Sequence, residues 1–229
     1  GAGQKPPFAP TSREGGPLMF DLVIFDCDGV LIDSEVISAR QLIAELKGYG
    51  VEMDMAFVSR HFLGRSYPVV LKEVRDRWGV ALPERFEADY RARLLAAFER
   101  DLRRMEGVVE TVAALRLPYC LATSSSPERM RRSLEITGMT GLFRDVAFTA
   151  SEVARGKPAP DLFLHAAERM GVRPEACVVI EDSVAGATAA RDAGMACYGY
   201  APQGDHAGLR AVGARVFSRM ADLPALLGL

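Results

Sequence analysis

Five short apolar runs, at residues 22–25, 119–122, 146–148, 177–180 and 196–198, constrain the fold of this chain more than any other feature. Each is too brief for a helix and has no polar residue interrupting it. That is the pattern of parallel strands covered on both faces, not of strands with one wet side. Helices with readable ends lie between them. Ser126 is placed to cap a helix with Pro127 at its first position and Gly138 just past its end; Asp161 opens another that stops at Gly171; a third spans about 183–194. Asp161 and Ser183 are the expected N-caps of the second and third. Strand alternating with helix predicts an α/β protein with a Rossmann-like, doubly wound parallel sheet, and residues 215–217 are a candidate sixth strand.

One stretch breaks the alternation. From Ser34 to about Met105 there are only helical periods: Val36, Ala39, Ile43 and Leu46; Val70, Val74 and Trp78; Phe86, Tyr90, Leu94 and Phe98. All of these are expected to face a core. A chain of 229 residues, at about 150 per domain, holds one domain with a sizeable insertion or two small ones. The predicted organisation is a core built from residues 19–33 and 105–229, with an all-helical cap at 34–104. Residues 1–18 are rich in Pro, Gly and small polar residues and have no apolar period. They are expected to be a disordered tail or an expression remnant, with Met19 able to supply an initiator.

Composition narrows the partner. A net charge of −2 provides no attraction for nucleic acid or an acidic membrane. No apolar run approaches the ~20 residues of a membrane span, and no secretory signal pattern is present. The expectation is a cytoplasmic protein with a small-molecule partner, no nucleic acid and no membrane. Without an exposed apolar seam, a monomer or weak homodimer is expected. Cys27, Cys120, Cys177 and Cys197 are far apart and mostly inside apolar runs, which suits buried thiols in a reducing compartment. His61, His165 and His206 have neither ligand spacing nor a triad partner and read as ordinary helix and loop residues.

The chemistry gathers at the strand ends. The run through residues 23–35 finishes a strand and then places Asp26, Asp28, Asp33 and Glu35 within ten positions. In an open α/β sheet, ligands bind beyond the carboxyl ends of the strands, so such groups share one crevice. Thr123-Ser124-Ser125, Gly156-Lys157-Pro158 and Glu181-Asp182-Ser183 lie at or after other strand ends. Clustered carboxylates repel one another unless protonated or neutralised, so a bound hard cation is predicted. Oxygen ligands suit Mg²⁺, which retains waters and leaves room for a phosphate oxygen. Taken singly, Lys157 would be a solvated surface lysine and Thr123 a turn hydroxyl; their joint order is what argues otherwise.

Asp26-Cys27-Asp28-Gly29-Val30, Thr123, Lys157 followed by Pro-Ala-Pro-Asp, and 181–186 as Glu-Asp-Ser-Val-Ala-Gly resemble the four motifs of the haloacid dehalogenase superfamily, in its helical-cap subgroup. The resemblance runs in the correct order from Met19 to Leu229 and is nearest to sugar-phosphate phosphatases, more distantly to β-phosphoglucomutases. It implies that Asp26 is a nucleophile that forms an aspartyl-phosphate. Asp28 would protonate the leaving alkoxide and deprotonate the attacking water, its backbone carbonyl meanwhile ligating Mg²⁺. Thr123 would bind a phosphoryl oxygen together with backbone N–H groups of Asp28 and Ser124, and the start of the following helix would add its positive end. Lys157 would sit between Asp26 and the phosphoryl group. Asp182, with Asp26, would hold the metal, and Glu181 would act nearby or through water. Gly29 would let backbone approach phosphate closely. Arg65 and Ser66, in a cap loop, are expected to help choose the substrate. Asp33 and Glu35 read as hinge and helix-start groups, with a substrate contact open to either.

Departures from the family narrow the activity. True dehalogenases lack the second Asp, so Asp28 argues for a phosphomonoester. A phosphosugar mutase would carry a histidine where simple spacing puts Ser38, and a phosphate-gripping arginine where Tyr67 stands, two residues after Arg65. The remaining alternative, a phospho-accepting regulatory module, uses similar strand-end groups but needs neither a proton shuttle beside the phosphorylated Asp nor a seventy-residue cap.

Overall fold

The computed structural model describes residues 20–62, 65 and 67–229. The expected tail at 1–18 and the predicted cap residue Ser66 lie outside the described residues. All six predicted strands form: β1 (Leu22–Phe25), β2 (Tyr119–Thr123), β3 (Ala147–Thr149), β4 (Cys177–Glu181), β5 (Ala196–Tyr200) and β6 (Arg215–Phe217). They make one fully parallel sheet in the order β3-β2-β1-β4-β5-β6. The order reverses at β1, between β2 and β4, and that switch point opens a crevice at the carboxyl edge.

Alternation along the strands divides the interior in two. Val23, Phe25, Leu121, Val178 and Ile180 face a core completed by α5 (Val108–Ala114) and α6 (Pro127–Thr137). Leu22, Ile24, Cys120 and Val179 face α7 (Asp161–Met170) and α8 (Val184–Asp192) on the other side. Every side chain of β1 is fully buried, and each contributes about 1.5–3 kcal/mol through burial. All four cysteines are buried and unpaired. Two short helices, α9 (Ala207–Ala211) and α10 (Leu223–Leu226), finish the chain. Among the described residues no helix is long and apolar enough to cross a membrane.

Strands β2 and β4 run one residue past their apolar runs. Thr123 and Glu181 stay in the ladder, opposite Thr149 and Gly199, because their polar side chains find partners inside. The helix ends mostly follow the sequence: Ser126 and Ser183 accept from the N–H groups of Arg129 and Gly186, and Gly138 and Gly171 close their helices in the left-handed conformation. Asp161 does not cap. It is the first helical residue, Pro160 precedes it as the cap position, and its carboxylate pairs with Arg155 instead.

After β1 come the four helices of the cap, α1 (Glu35–Lys47), α2 (Met55–His61), α3 (Tyr67–Trp78) and α4 (Phe86–Asp101). The chain enters and leaves through paired linkers: the Asp33 N–H donates to the Arg103 carbonyl and the Met105 N–H to the Leu31 carbonyl, both at 2.9 Å. Ala39, Leu46, Val70, Val74, Phe86, Tyr90, Leu94 and Phe98 are buried as expected, and Ile43 and Trp78 pack against them. Val36 is the exception, 44% exposed in the first turn of α1.

Candidate active site

Asp26 is the residue immediately after β1, and its 6% exposure leaves it almost no water. Lys157, 1% exposed, reaches it from the loop before α7. The Lys157 Nζ donates to Asp26 Oδ1 at 2.9 Å, to Glu181 Oε1 at 2.6 Å and to the Ala122 carbonyl at 3.3 Å. It also lies 4.7 Å from the centre of the Phe163 ring. Burial opposes the lysine's charge, but the carboxylates of Asp26 and Glu181 outweigh it and hold the ammonium well above its ordinary range. Glu181 uses its other oxygen to accept from the Asp182 N–H, the Ser183 N–H and the Ser183 hydroxyl at 3.0–3.1 Å. Its carboxylate is therefore bonded on both oxygens, which suits the nearby or water-mediated role expected of it better than direct ligation.

Asp28 turns to the opposite side of the crevice. Its Oδ1 accepts from the Ser34 hydroxyl at 2.6 Å and from Arg129 Nη2 at 2.8 Å, and its Oδ2 from the Ser125 hydroxyl at 2.8 Å. Burial alone would raise this carboxyl, but the Arg129 charge and these three hydrogen bonds hold it below the usual range. Ser34 occupies the N-cap position of α1 yet caps nothing; its hydroxyl serves Asp28 instead. In the sequence Ser125 stood out only as part of the polar run at a strand end, and neither Ser34 nor Arg129 was given a role. Arg129 lies 101 positions from Asp28, and only its place in the first turn of a helix that starts at the rim hinted at it.

Oxygens of Asp26, Glu181 and Asp182 lie within 4.8 Å of one another. Burial and the neighbouring Glu181 charge push the Asp26 carboxyl up to about 7, against the pull of Lys157. Burial, the neighbouring Glu35 carboxylate, and the charges of Glu181 and Asp26 push Asp182 well above its ordinary value. One ammonium does not balance this many buried carboxylates, so the donor set fits a hard divalent cation. Gly29 is shaped by the same crowding. Its φ of +79° favours glycine, and a Cβ there would lie 2.0 Å from Asp182 Oδ2 and 2.7 Å from Glu35 Oε1. The glycine thus makes room for carboxylates, where the sequence suggested room for phosphate.

Asp26, Asp28, Glu35, Lys157 and Asp182 line a pocket that the cap helices close from above. The Ser124 hydroxyl lines it and, among the described residues, is buried without a hydrogen-bond partner, so it is placed to meet a ligand oxygen. Thr123 is fully buried, and its hydroxyl accepts from the Ser125 N–H at 3.1 Å, a local turn contact. From the cap, Arg65, Tyr67, Tyr90 and Arg91 reach the same pocket, Arg65 as an exposed residue. The Ser38 hydroxyl, at the position where a mutase would have histidine, accepts from Arg129 at 3.0 Å. The three histidines are elsewhere: His206 caps α9, His165 meets Glu152, and His61 packs on Phe57.

The sequence model of the haloacid dehalogenase-like hydrolases matches residues 20–194. The chain is 31% identical over 207 residues to a 6-phosphogluconate phosphatase of Escherichia coli, covering 90% of this chain and 94% of that protein. It superimposes with a TM-score of 0.78 on a haloacid dehalogenase-like protein of Agrobacterium tumefaciens, at 35% identity over 91% of this chain and 98% of the other. A hydrolase from Deinococcus radiodurans, solved with phosphate and sodium bound, gives a TM-score of 0.72 at 35% identity, over 93% and 96% of the two chains. With this match across the sheet, the crevice and the cap, the chain belongs to the haloacid dehalogenase-like hydrolases.

Proposed function

We propose that this hydrolase is a Mg²⁺-dependent phosphatase that cleaves a small phosphomonoester through an aspartyl-phosphate on Asp26. One observation carries the reading: the Asp26 carboxylate is held by a buried lysine at the floor of a pocket whose rim presents Asp182, Asp28 and the unpartnered Ser124 hydroxyl. A phosphoryl group seated there meets a nucleophile below, an ammonium beside it and a hydroxyl donor.

In the first displacement an Asp26 oxygen bonds to phosphorus, the ester P–O bond breaks, and the leaving oxygen takes a proton from Asp28, which has to enter this step in its acid form although the Arg129 charge favours its carboxylate. In the second, water attacks the same phosphorus, its proton passes to the Asp28 carboxylate, and the P–O bond to Asp26 breaks. Inorganic phosphate leaves and both aspartates return to their starting states. Lys157 lowers the repulsion between the anionic nucleophile and the anionic ester throughout. Mg²⁺, held by Asp26, Asp182 and the Asp28 carbonyl with Glu181 behind them, would neutralise charge on the phosphoryl oxygens. Residues 34–104 serve as the cap that excludes bulk water, and residues 19–33 with 105–229 serve as the catalytic core.

The substrate class is a phosphorylated sugar or sugar acid. The E. coli relative is named for such a compound, and Arg65 and Arg91 give the pocket cations beyond those the phosphoryl group needs. A monomer or weak homodimer in the cytoplasm is the setting we propose, supported by the four buried, unpaired thiols. The test is phosphate release from a panel of sugar phosphates with Mg²⁺, run beside Asp26→Asn. Turnover by the parent and none by the variant is expected; undiminished release by the variant, or in excess EDTA, would sink the mechanism. Conversion of glucose 1-phosphate to glucose 6-phosphate without release would make the protein a mutase.

A further inference from the structure

Arg129 has no part in the steps above, yet it occupies their centre. It sits in the first turn of α6, and helical side chains lean toward the N-terminus, so its guanidinium reaches back over the rim into the pocket. There it touches both layers of the molecule. One nitrogen, Nη2, donates to Asp28 Oδ1 at 2.8 Å and to the Ser38 hydroxyl at 3.0 Å. Asp28 belongs to the loop after β1, whereas Ser38 belongs to α1 of the cap. The guanidinium carbon lies 5.2 Å from the centre of the Phe98 ring on α4, also in the cap. A second contact, the ion pair of Arg132 with Glu99, ties the same two helices at the surface.

Stability does not explain this arrangement. Desolvating a charged pair costs about as much as the pair returns, so a buried salt bridge is weak evidence of a stabilising role. Arg129 is only 21% exposed, and its Nε is buried without a hydrogen-bond partner among the described residues. Asp28 already accepts two hydroxyl hydrogen bonds, one on each oxygen, and does not need a third donor to be satisfied. What Arg129 adds is a link from the cap to one particular carboxylate oxygen.

We propose that Arg129 is a positioning residue, which orients Asp28 for proton transfer by fixing its Oδ1 to the seated cap through Ser38 and Phe98. The inference rests on the phosphatase reading with Asp28 as the proton-transferring group. When the cap engages the core, the guanidinium meets Ser38 and Phe98 and sets the Asp28 rotamer. When the cap lifts, Arg129 loses Ser38 and Phe98, and its bond to Asp28, which joins two core residues, is no longer braced from the cap side.

A kinetic double-mutant cycle tests it, with the best sugar phosphate of the panel as substrate and Mg²⁺ present. Arg129→Met is expected to lower kcat by about 10- to 100-fold, since a displaced proton-transfer group forfeits much of its contribution. In an Asp28→Asn background, the same change should cost less than about twofold, because a residue acting through Asp28 has nothing left to position. Arg129→Lys keeps the charge but loses the planar fork and should fall between them; it also serves as the working variant if Arg129→Met fails to fold. Equal losses in both backgrounds, or a change confined to KM, would overturn the inference while leaving the phosphatase reading intact. An inactive parent overturns both, and the Asp26→Asn comparison tells the two cases apart.

Discussion

A Cβ on Gly186 would lie 1.9 Å from the carboxylate of Glu181. The overlap is with the end of a side chain, but that end cannot swing away: Lys157 bonds one oxygen, and Asp182 N and both polar groups of Ser183 bond the other. In most helices Gly→Ala adds up to about 1 kcal/mol of stability. Here Gly186→Ala should instead destabilise by about 1–3 kcal/mol, the usual cost of overpacking a fixed interior. Urea unfolding of the two proteins decides the sign, and a gain would mean that Glu181 is not held as the structure shows.

Lys157 is the counter-charge for Asp26 and Glu181, so its removal should be felt well beyond catalysis. Lys157→Met leaves two buried carboxylates without their ammonium, and losing one partner of such a buried group costs about 3–5 kcal/mol. Adding Glu181→Gln should recover part of that loss, because one of the stranded charges is then gone. If the single variant unfolds at the parent's denaturant midpoint, the charge balance described for the crevice is wrong.

The architecture was legible in the sequence because apolar runs and cap residues act locally. β1 and β6 fall where the runs place them, and Ser126, Ser183, Gly138 and Gly171 end helices as their chemistry requires. Thr123 and Glu181 ended their predicted strands a residue early, since polar residues in a ladder look like loop until their partners are known. Asp161 shows the same limit in reverse: an aspartate in the first turn caps only if no arginine is better placed, and Arg155 is. The motif residues around Asp26 could be named from order alone, whereas the setting of Asp28 could not. Ser125 and Arg129 reach it from 97 and 101 positions away, a proximity only the folded sheet creates.

Acid and base should move the metal-free protein in opposite ways. Asp26 binds its proton up to about 7 in the folded chain, against 3.8 when unperturbed, and Asp182 is shifted the same way. Between those values the folded state holds protons that the unfolded state has released. Stability present at low pH is therefore lost as pH rises through about 7. Asp28, shifted downward, contributes above its ordinary value and loses that only in stronger acid. In EDTA, Tm should fall between about pH 5 and pH 8, and added Mg²⁺ should raise Tm more at the higher pH, where it does not compete with protons. A Tm that climbs over this range in EDTA would contradict the carboxylate crowding.

Glu35 was expected as a helix-start or hinge group, yet its carboxylate sits beside that of Asp182 in the space above Gly29 and helps push Asp182 up. Two roles give opposite signs for Glu35→Gln. If the carboxylate only begins α1, neutral Gln should cost a few tenths of a kcal/mol from the helix dipole and leave Mg²⁺ binding alone. If it belongs to the cation's surroundings, removing it should relieve repulsion and raise the metal-free Tm at pH 8. The Mg²⁺ concentration needed to stabilise the protein should then increase by roughly 10- to 100-fold, the usual effect of removing a group that supports a metal ligand. The contact with Asp182 favours the second outcome, and the two Tm series in EDTA and in titrated Mg²⁺ distinguish them without any assay of turnover. A metal-free Tm that drops, with an unchanged Mg²⁺ midpoint, would return Glu35 to the helix-start role.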